Sequence, residues 1–199
     1  MTNKRIVLAS GNQGKLREFS QLFSQWSVDV VSQSQLNIDS VPETGTTFVE
    51  NAIIKARHAA AESGLPALSD DSGLVVNALS GAPGIYSSRY AGENASDADN
   101  ITKLLQVLEG NEQRAAHFQC VLVYMRSADD PVPLIAQGQW HGHIATCQSG
   151  SDGFGYDPVF ICPEYHCSAA ELTKDVKNTL SHRAKALELL TQQMANLFD

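Results

Sequence analysis

The stretch RIVLASGNQGKLREFSQLF, residues 5–23, decides the fold. Its first six residues are an apolar run that stops at a glycine-asparagine turn. Beyond it Leu16, Phe19, Leu22, Phe23 and Trp26 recur on one helical face. Strand, glycine turn and amphipathic helix in that order open an α/β unit. The pattern resumes with a strand at VDVVSQ (28–33) and a break at SVPETG (40–45). Thr47 and Glu50 then form a capping box that opens a helix running to about Ser63, closed by Gly64 and Pro66.

Further along, the segment LVVNAL (74–79) reads as a buried strand or a tight helical turn, and residues 80–96 as a long glycine-containing loop of the kind that carries function. A helix starts at Ser96 or Asp97, with Ile101, Leu104, Leu105 and Leu108 on one face, and ends at Gly110. Two long strands, 116–127 and 133–146, are separated by ADDPV and pair as a hairpin. A glycine loop (149–158) leads to the short strand VFIC, and Leu187, Leu190, Met194 and Leu197 mark a last helix beginning near Ser181. Helices alternate with strands early and strands cluster in the middle, so the expected architecture is α/β with a mixed sheet. The 199 residues are read as one domain, 1–199, with two lobes as an open alternative.

A composition of 43% hydrophobic and 18% charged residues, without an apolar stretch near the ~20 residues of a membrane span, is that of a globular chain. The apolar run after Lys4 and Arg5 is too short for a secretory signal, so a cytoplasmic address is expected. The net charge of -8 offers no basic stripe for nucleic acid, yet leaves room for a local pocket that binds a small polyanion. Cys120, Cys147, Cys162 and Cys167 lack C-x-x-C spacing, which argues against a zinc or disulfide framework.

Several groups at element boundaries carry chemistry. Ser10, Gly11, Asn12, Gln13, Gly14 and Lys15 form either a phosphate-binding turn at a helix N-terminus or an ordinary capped turn; the Walker spacing is not met. Asp70 and Asp71, adjacent between two apolar runs and followed by Ser72, read as a metal and water site or as an Asx-turn. Glu43 offers a further carboxylate, with a solvated loop charge as the plainer reading, and Lys55 reads first as a snorkelling surface lysine. Phe154, Gly155, Tyr156 and Asp157 present aromatic faces and an acceptor, suited to a base or to core filling. Lys174, Lys177, His182 and Arg183 gather before and at the start of the last helix, where cations oppose the helix dipole and call for an anion. Arg89 is a substrate contact or a loop anchor. Together these groups point to a nucleoside polyphosphate with a metal.

At these residues the chain resembles the inosine triphosphate pyrophosphatase family, the Ham1/RdgB-like non-canonical purine NTP pyrophosphatases. SGNQGK, ETGTTFVENAIIKA, DDSGLVVNALSGAPGIYSSRYAG, GFGYDPVF and LSHRAKAL follow the family's order over nearly the full length. The resemblance implies an elongated α/β fold with two lobes around a central cleft, a homodimer, and Mg²⁺-dependent attack of water on the α-phosphorus of ITP, dITP or XTP. It implies phosphate contacts from Ser10, Asn12 and Lys15 with Lys55 nearby. Asp71 would be metal ligand and general base, Glu43 a second ligand and Asp70 a support. Phe154 would stack on the purine, and Tyr156, Asp157, Lys177, His182 and Arg183 would shape the base pocket, with Ser72 near the substrate. Two positions depart from the family pattern: His141, where proline is frequent, and Val176, where an acidic residue is common. Rival readings are a Maf-type pyrophosphatase for modified pyrimidine nucleotides, a non-catalytic nucleotide-binding regulator and a nucleic-acid-binding module.

Overall fold

The computed structural model describes residues 4–198, with side chains as far as Ala195, so Leu197 of the expected last helical face lies outside the described side chains. The chain divides into two compact units, one of Met1–Asp71, Val121–Gln137 and Ala186–Asp199, the other of Ser72–Cys120 and Gly138–Lys185.

In the first unit β1 (Lys4–Leu8), α1 (Gln13–Phe23) and β2 (Val28–Ser32) follow the opening pattern, and β1 and β2 pair in parallel with Leu8 opposite Ser32. Trp26 falls beyond α1 in a short 3-10 turn (Ser24–Trp26), while Phe19 and Phe23 carry the buried face. The next helix, α2 (Phe48–Ser63), starts at the Thr47 cap and ends at Gly64, whose φ of 67° is open to glycine without strain. The box is not closed in the expected way: Glu50 reaches past Thr47 to the Thr46 amide at 2.8 Å. Four fully or almost fully buried alanines, Ala52, Ala56, Ala59 and Ala60, line its inner face and pack with Val7, Ala67, Val121, Val123 and Met125.

The strand β3 (Ala67–Val76) pairs in parallel with β1, and it overturns the Asx-turn reading, because its ten residues run unbroken through Asp70 and Asp71. Neighbours on a strand point to opposite faces, so the two carboxylates part company at once. Sheet order is β2-β1-β3-β4-β5-β6-β7, with β4 (Ala115–Met125) and β5 (Leu134–Ile144) adjacent as expected of a hairpin. β6 (Phe160–Cys162) pairs antiparallel with β5 and with β7 (Cys167–Ser168), which completes a mixed sheet.

The second unit holds its own core around Trp140, Phe118, Phe160, Leu74, Leu104 and Leu108. Each large side chain fully buried there stabilises the fold by about 2–3 kcal/mol. α3 (Asp97–Val107) begins at a Ser96–Asp99 capping box. The long loop before it is not featureless, since Gly84–Arg89 wind into a 3-10 helix. The basic segment before the last helix is itself a helix, α4 (Lys174–Leu180), separated from α5 (His182–Phe198) by Ser181. This corrects the reading of Lys177 as a cation at a helix start: it sits in the last turn of α4, where the dipole favours it.

Candidate active site

In the first unit the candidate residues come from the turn after β1, the first turn of α1, the middle of α2 and the interior of β3. Asn12 is the N-cap of α1, and its Oδ1 accepts from the amides of Gly14 (2.8 Å) and Lys15 (3.1 Å); Ser10 Oγ accepts from the Asn12 amide. The capped-turn reading therefore holds for Asn12. Lys15 Nζ donates to Asp70 Oδ1 at 2.5 Å, and the Asp70 side chain has no solvent exposure. Such a carboxylate persists ionised only beside a counter-charge.

Asp71 meets a different lysine. Lys55 Nζ, from the middle of α2, lies 2.6 Å from Asp71 Oδ1 and 2.7 Å from Glu43 Oε1. The snorkelling reading of Lys55 is thereby corrected: its ammonium bridges two carboxylates and is mostly buried. Burial works against its charge, but Asp71 and Glu43 outweigh it and hold its pKa above the ordinary lysine value. Burial pushes Asp71 up to about 6, with Lys55 pulling the other way and Glu43 and Asp70 adding repulsion. Glu43 stands on a loop fixed at Gly45, whose amide donates to the buried Asn51 Oδ1 at 2.8 Å. A Cβ there would come within 2.6 Å of Glu50 Cβ, so only glycine fits.

In the second unit the glycine loop presents Phe154 with 64% of its surface exposed. Asp157 Oδ2 accepts from the Phe154 amide at 2.8 Å and pairs with Lys177, whose Nζ lies 4.9 Å from the centre of the Phe154 ring. Gly155 donates to Asp97 Oδ2 at 2.7 Å. Tyr156 turns away from this surface: it is buried, its hydroxyl donates to the Ser87 carbonyl at 2.8 Å, and burial raises its pKa. Of the two aromatics read together in the sequence, one is exposed and the other a core anchor. His182 is buried against Phe118, with ring centroids 5.0 Å apart and planes 18° from parallel, and Arg183 beside it is half-buried.

The expected residues thus fall into two sets. Ion pairs join Lys15 to Asp70 and, separately, Lys55 to Glu43 and Asp71, while Phe154, Gly155 and Asp157 share the loop that Lys177 of α4 reaches. Ser72 follows Asp71 on β3, half-buried. Arg89 lies over the Tyr86 ring at 5.2 Å and 3.9 Å from Glu93 Oε1. The sequence reading missed Asp97, which looks like one more acidic residue of a helix start, and Phe118, which looks like any core position of a strand. Among the described residues no group of three or more His, Cys, Asp or Glu is placed to hold a metal ion.

A mixed sheet flanked by helices, with paired lysines and carboxylates in the first unit and an exposed aromatic ring in the second, defines the class as α/β. The chain belongs to the Ham1 family, which it matches over residues 6–193. It is 59% identical to a dITP/XTP pyrophosphatase of Vibrio cholerae, over 94% of both chains, and 60% identical to one of Shewanella oneidensis, over 96% of this chain and 94% of the relative. Among solved structures it is similar to a HAM1 protein from Coxiella burnetii, with a TM-score of 0.94 and 49% identity over 97% of this chain and 99% of that one.

Proposed function

We propose that the protein hydrolyses non-canonical purine nucleoside triphosphates (dITP, XTP and ITP) to the nucleoside monophosphate and pyrophosphate. The observation that carries this reading is the convergence of Glu43 and Asp71 on the Lys55 ammonium, in a family member close in sequence to named dITP/XTP pyrophosphatases. Because Glu43 and Asp71 both reach the Lys55 ammonium, two hard oxygen donors stand close to one another, a donor set that fits Mg²⁺, which is typically bound by one or two carboxylates with waters and substrate phosphates completing the shell. Asp71 and Glu43 would hold it, and when bound it supplies charge neutralisation on the phosphates and a lowered water pKa.

The chain's own groups do the rest. Lys15 and Lys55 bind the phosphate oxygens and offset the charge that develops on the departing pyrophosphate. Asp71 Oδ accepts the proton of the attacking water while the water oxygen bonds to the α-phosphorus and the bond from that phosphorus to the bridging oxygen of the pyrophosphate breaks. A carboxylate raised to about 6 is a stronger base than an ordinary one and still ionised at neutral pH. Phe154 stacks on the purine, and His182 and Arg183 donate to the 6-keto oxygen. Adenine, with an amine at that position, would set donor against donor. Asp157 and Lys177 hold the loop and its ring. The reading takes Ser10, Gly11, Gln13 and Gly14 as the turn that shapes the phosphate end, and the enzyme as a cytoplasmic homodimer.

The test is pyrophosphate release with Mg²⁺ from dITP, ITP, XTP, GTP, ATP and dTTP, with Asp71→Asn as control. Preference for the first three, lost in the variant, is expected. Preference for dTTP would replace the substrate class, and hydrolysis of none would leave a nucleotide-binding regulator. Sedimentation at the mass of a single chain would remove the dimer.

A further inference from the structure

We propose that Asp97 is a positioning residue for Phe154: its carboxylate fixes the loop so that the exposed ring stands ready for a purine. The inference rests on the reading above, in which Phe154 stacks on the base.

Asp97 is the first residue of α3, where an acidic side chain would ordinarily serve the helix. Here that work is done by others. Ser96 Oγ accepts from the Asp99 amide at 3.2 Å, and Asp99 Oδ2 accepts from the Ser96 amide at 2.9 Å and from its hydroxyl at 2.7 Å. With the capping box complete, the Asp97 carboxylate turns out of the helix and takes the Gly155 amide, 58 residues away in sequence, at 2.7 Å.

The hydrogen bond falls where the loop needs a hold. Gly153 and Gly155 both lie at positive φ, 85° and 58°, so the backbone on either side of Phe154 is the most permissive kind. The ring is 64% exposed and gains little from packing. Besides the Lys177 ammonium 4.9 Å from its centre, its direction is set by the backbone, where two consecutive amides are held by two different carboxylates: Phe154 by Asp157 and Gly155 by Asp97. Asp157 is itself held by Lys177. Because the Asp97 bond is exposed, its loss costs the fold little, and its effect is confined to how the ring is presented.

A double-mutant cycle tests this, with dITP hydrolysis in Mg²⁺, calorimetric dITP binding and the thermal midpoint read on each protein. Asp97→Ala should raise KM for dITP about tenfold with kcat and the midpoint nearly unchanged, as loss of a pre-organised stacking contact requires. Asp97→Asn, whose amide oxygen can still accept from Gly155, should stay close to wild type. In a Phe154→Ala background, Asp97→Ala should add nothing. An unchanged KM in Asp97→Ala, equal loss in Asp97→Asn, or an effect that persists without the Phe154 ring would each overturn the proposal. If the wild type binds dITP without hydrolysing it, the hydrolase reading fails alone and the same cycle is scored on binding; if it does not bind dITP, both fail.

Discussion

The acid-lysine set of the first unit and the aromatic loop of the second solve opposite problems. Lys15 with Asp70, and Lys55 with Asp71 and Glu43, are charges largely withdrawn from water, each held by its own partners. Phe154 is an apolar ring pushed into water by a backbone that other groups restrain. Charges stored in pairs are already desolvated and oriented, so they can act on a developing charge without rearranging. A ring kept exposed adds affinity for a flat partner and no chemistry. The first set should therefore govern turnover and the second binding.

The sharpest break of that division comes from Asp71→Asn, which should lower kcat about 10³-fold while leaving the fold intact, as loss of a general base and metal ligand does. A rate near wild type would move the chemistry elsewhere. Next, Lys55→Met should leave Glu43 and Asp71 facing each other without a counter-charge and cost about 3 kcal/mol of stability by urea denaturation. Mg²⁺ should restore part of that loss. Lys177→Met should show no such rescue, since its partner Asp157 is also held by the Phe154 amide.

Phe154→Ala should raise KM for dITP about tenfold with kcat nearly constant, the mark of binding lost equally from ground and transition state. A fall in kcat of the same size would erase the distinction between the two sets. The smallest effect is selective: Arg183→Ala should narrow the ratio of kcat/KM for ITP over ATP about fivefold. An unchanged ratio removes Arg183 from base recognition.

What the sequence made legible is what local period and capping dictate. The β1–α1–β2 opening, the start of α2 at Thr47 and its end at Gly64, and the two long strands all carry signals within a few residues of themselves. The path of β3 was obscured because adjacent aspartates interrupt an apolar run. The structure resolves this by alternation, sending Asp70 to Lys15, 55 residues away, and Asp71 to Lys55 on the preceding helix. The break between α4 and α5 was hidden for lack of a glycine or proline at Ser181. Tyr156 and Phe154 look alike as letters, and only the Ser87 carbonyl tells the buried one from the exposed one. The Asp97–Gly155 bond has no sequence signature, as nothing in a helix start says that its capping is complete without its first residue.

The alanine face of α2 has one further consequence. Methyl groups at Ala52, Ala56, Ala59 and Ala60 act as spacers that set how near the helix lies to the strands beneath, and Lys55 rides on the same helix. Its ammonium meets both carboxylates at hydrogen-bond length, a tolerance of a few tenths of an ångström, so one added carbon in that face would lift the lysine away from them. Displacement of Lys55 from its carboxylates can therefore arise from substitutions that touch no charged group, and in a mutational survey these buried alanines should be as intolerant as the lysine they carry.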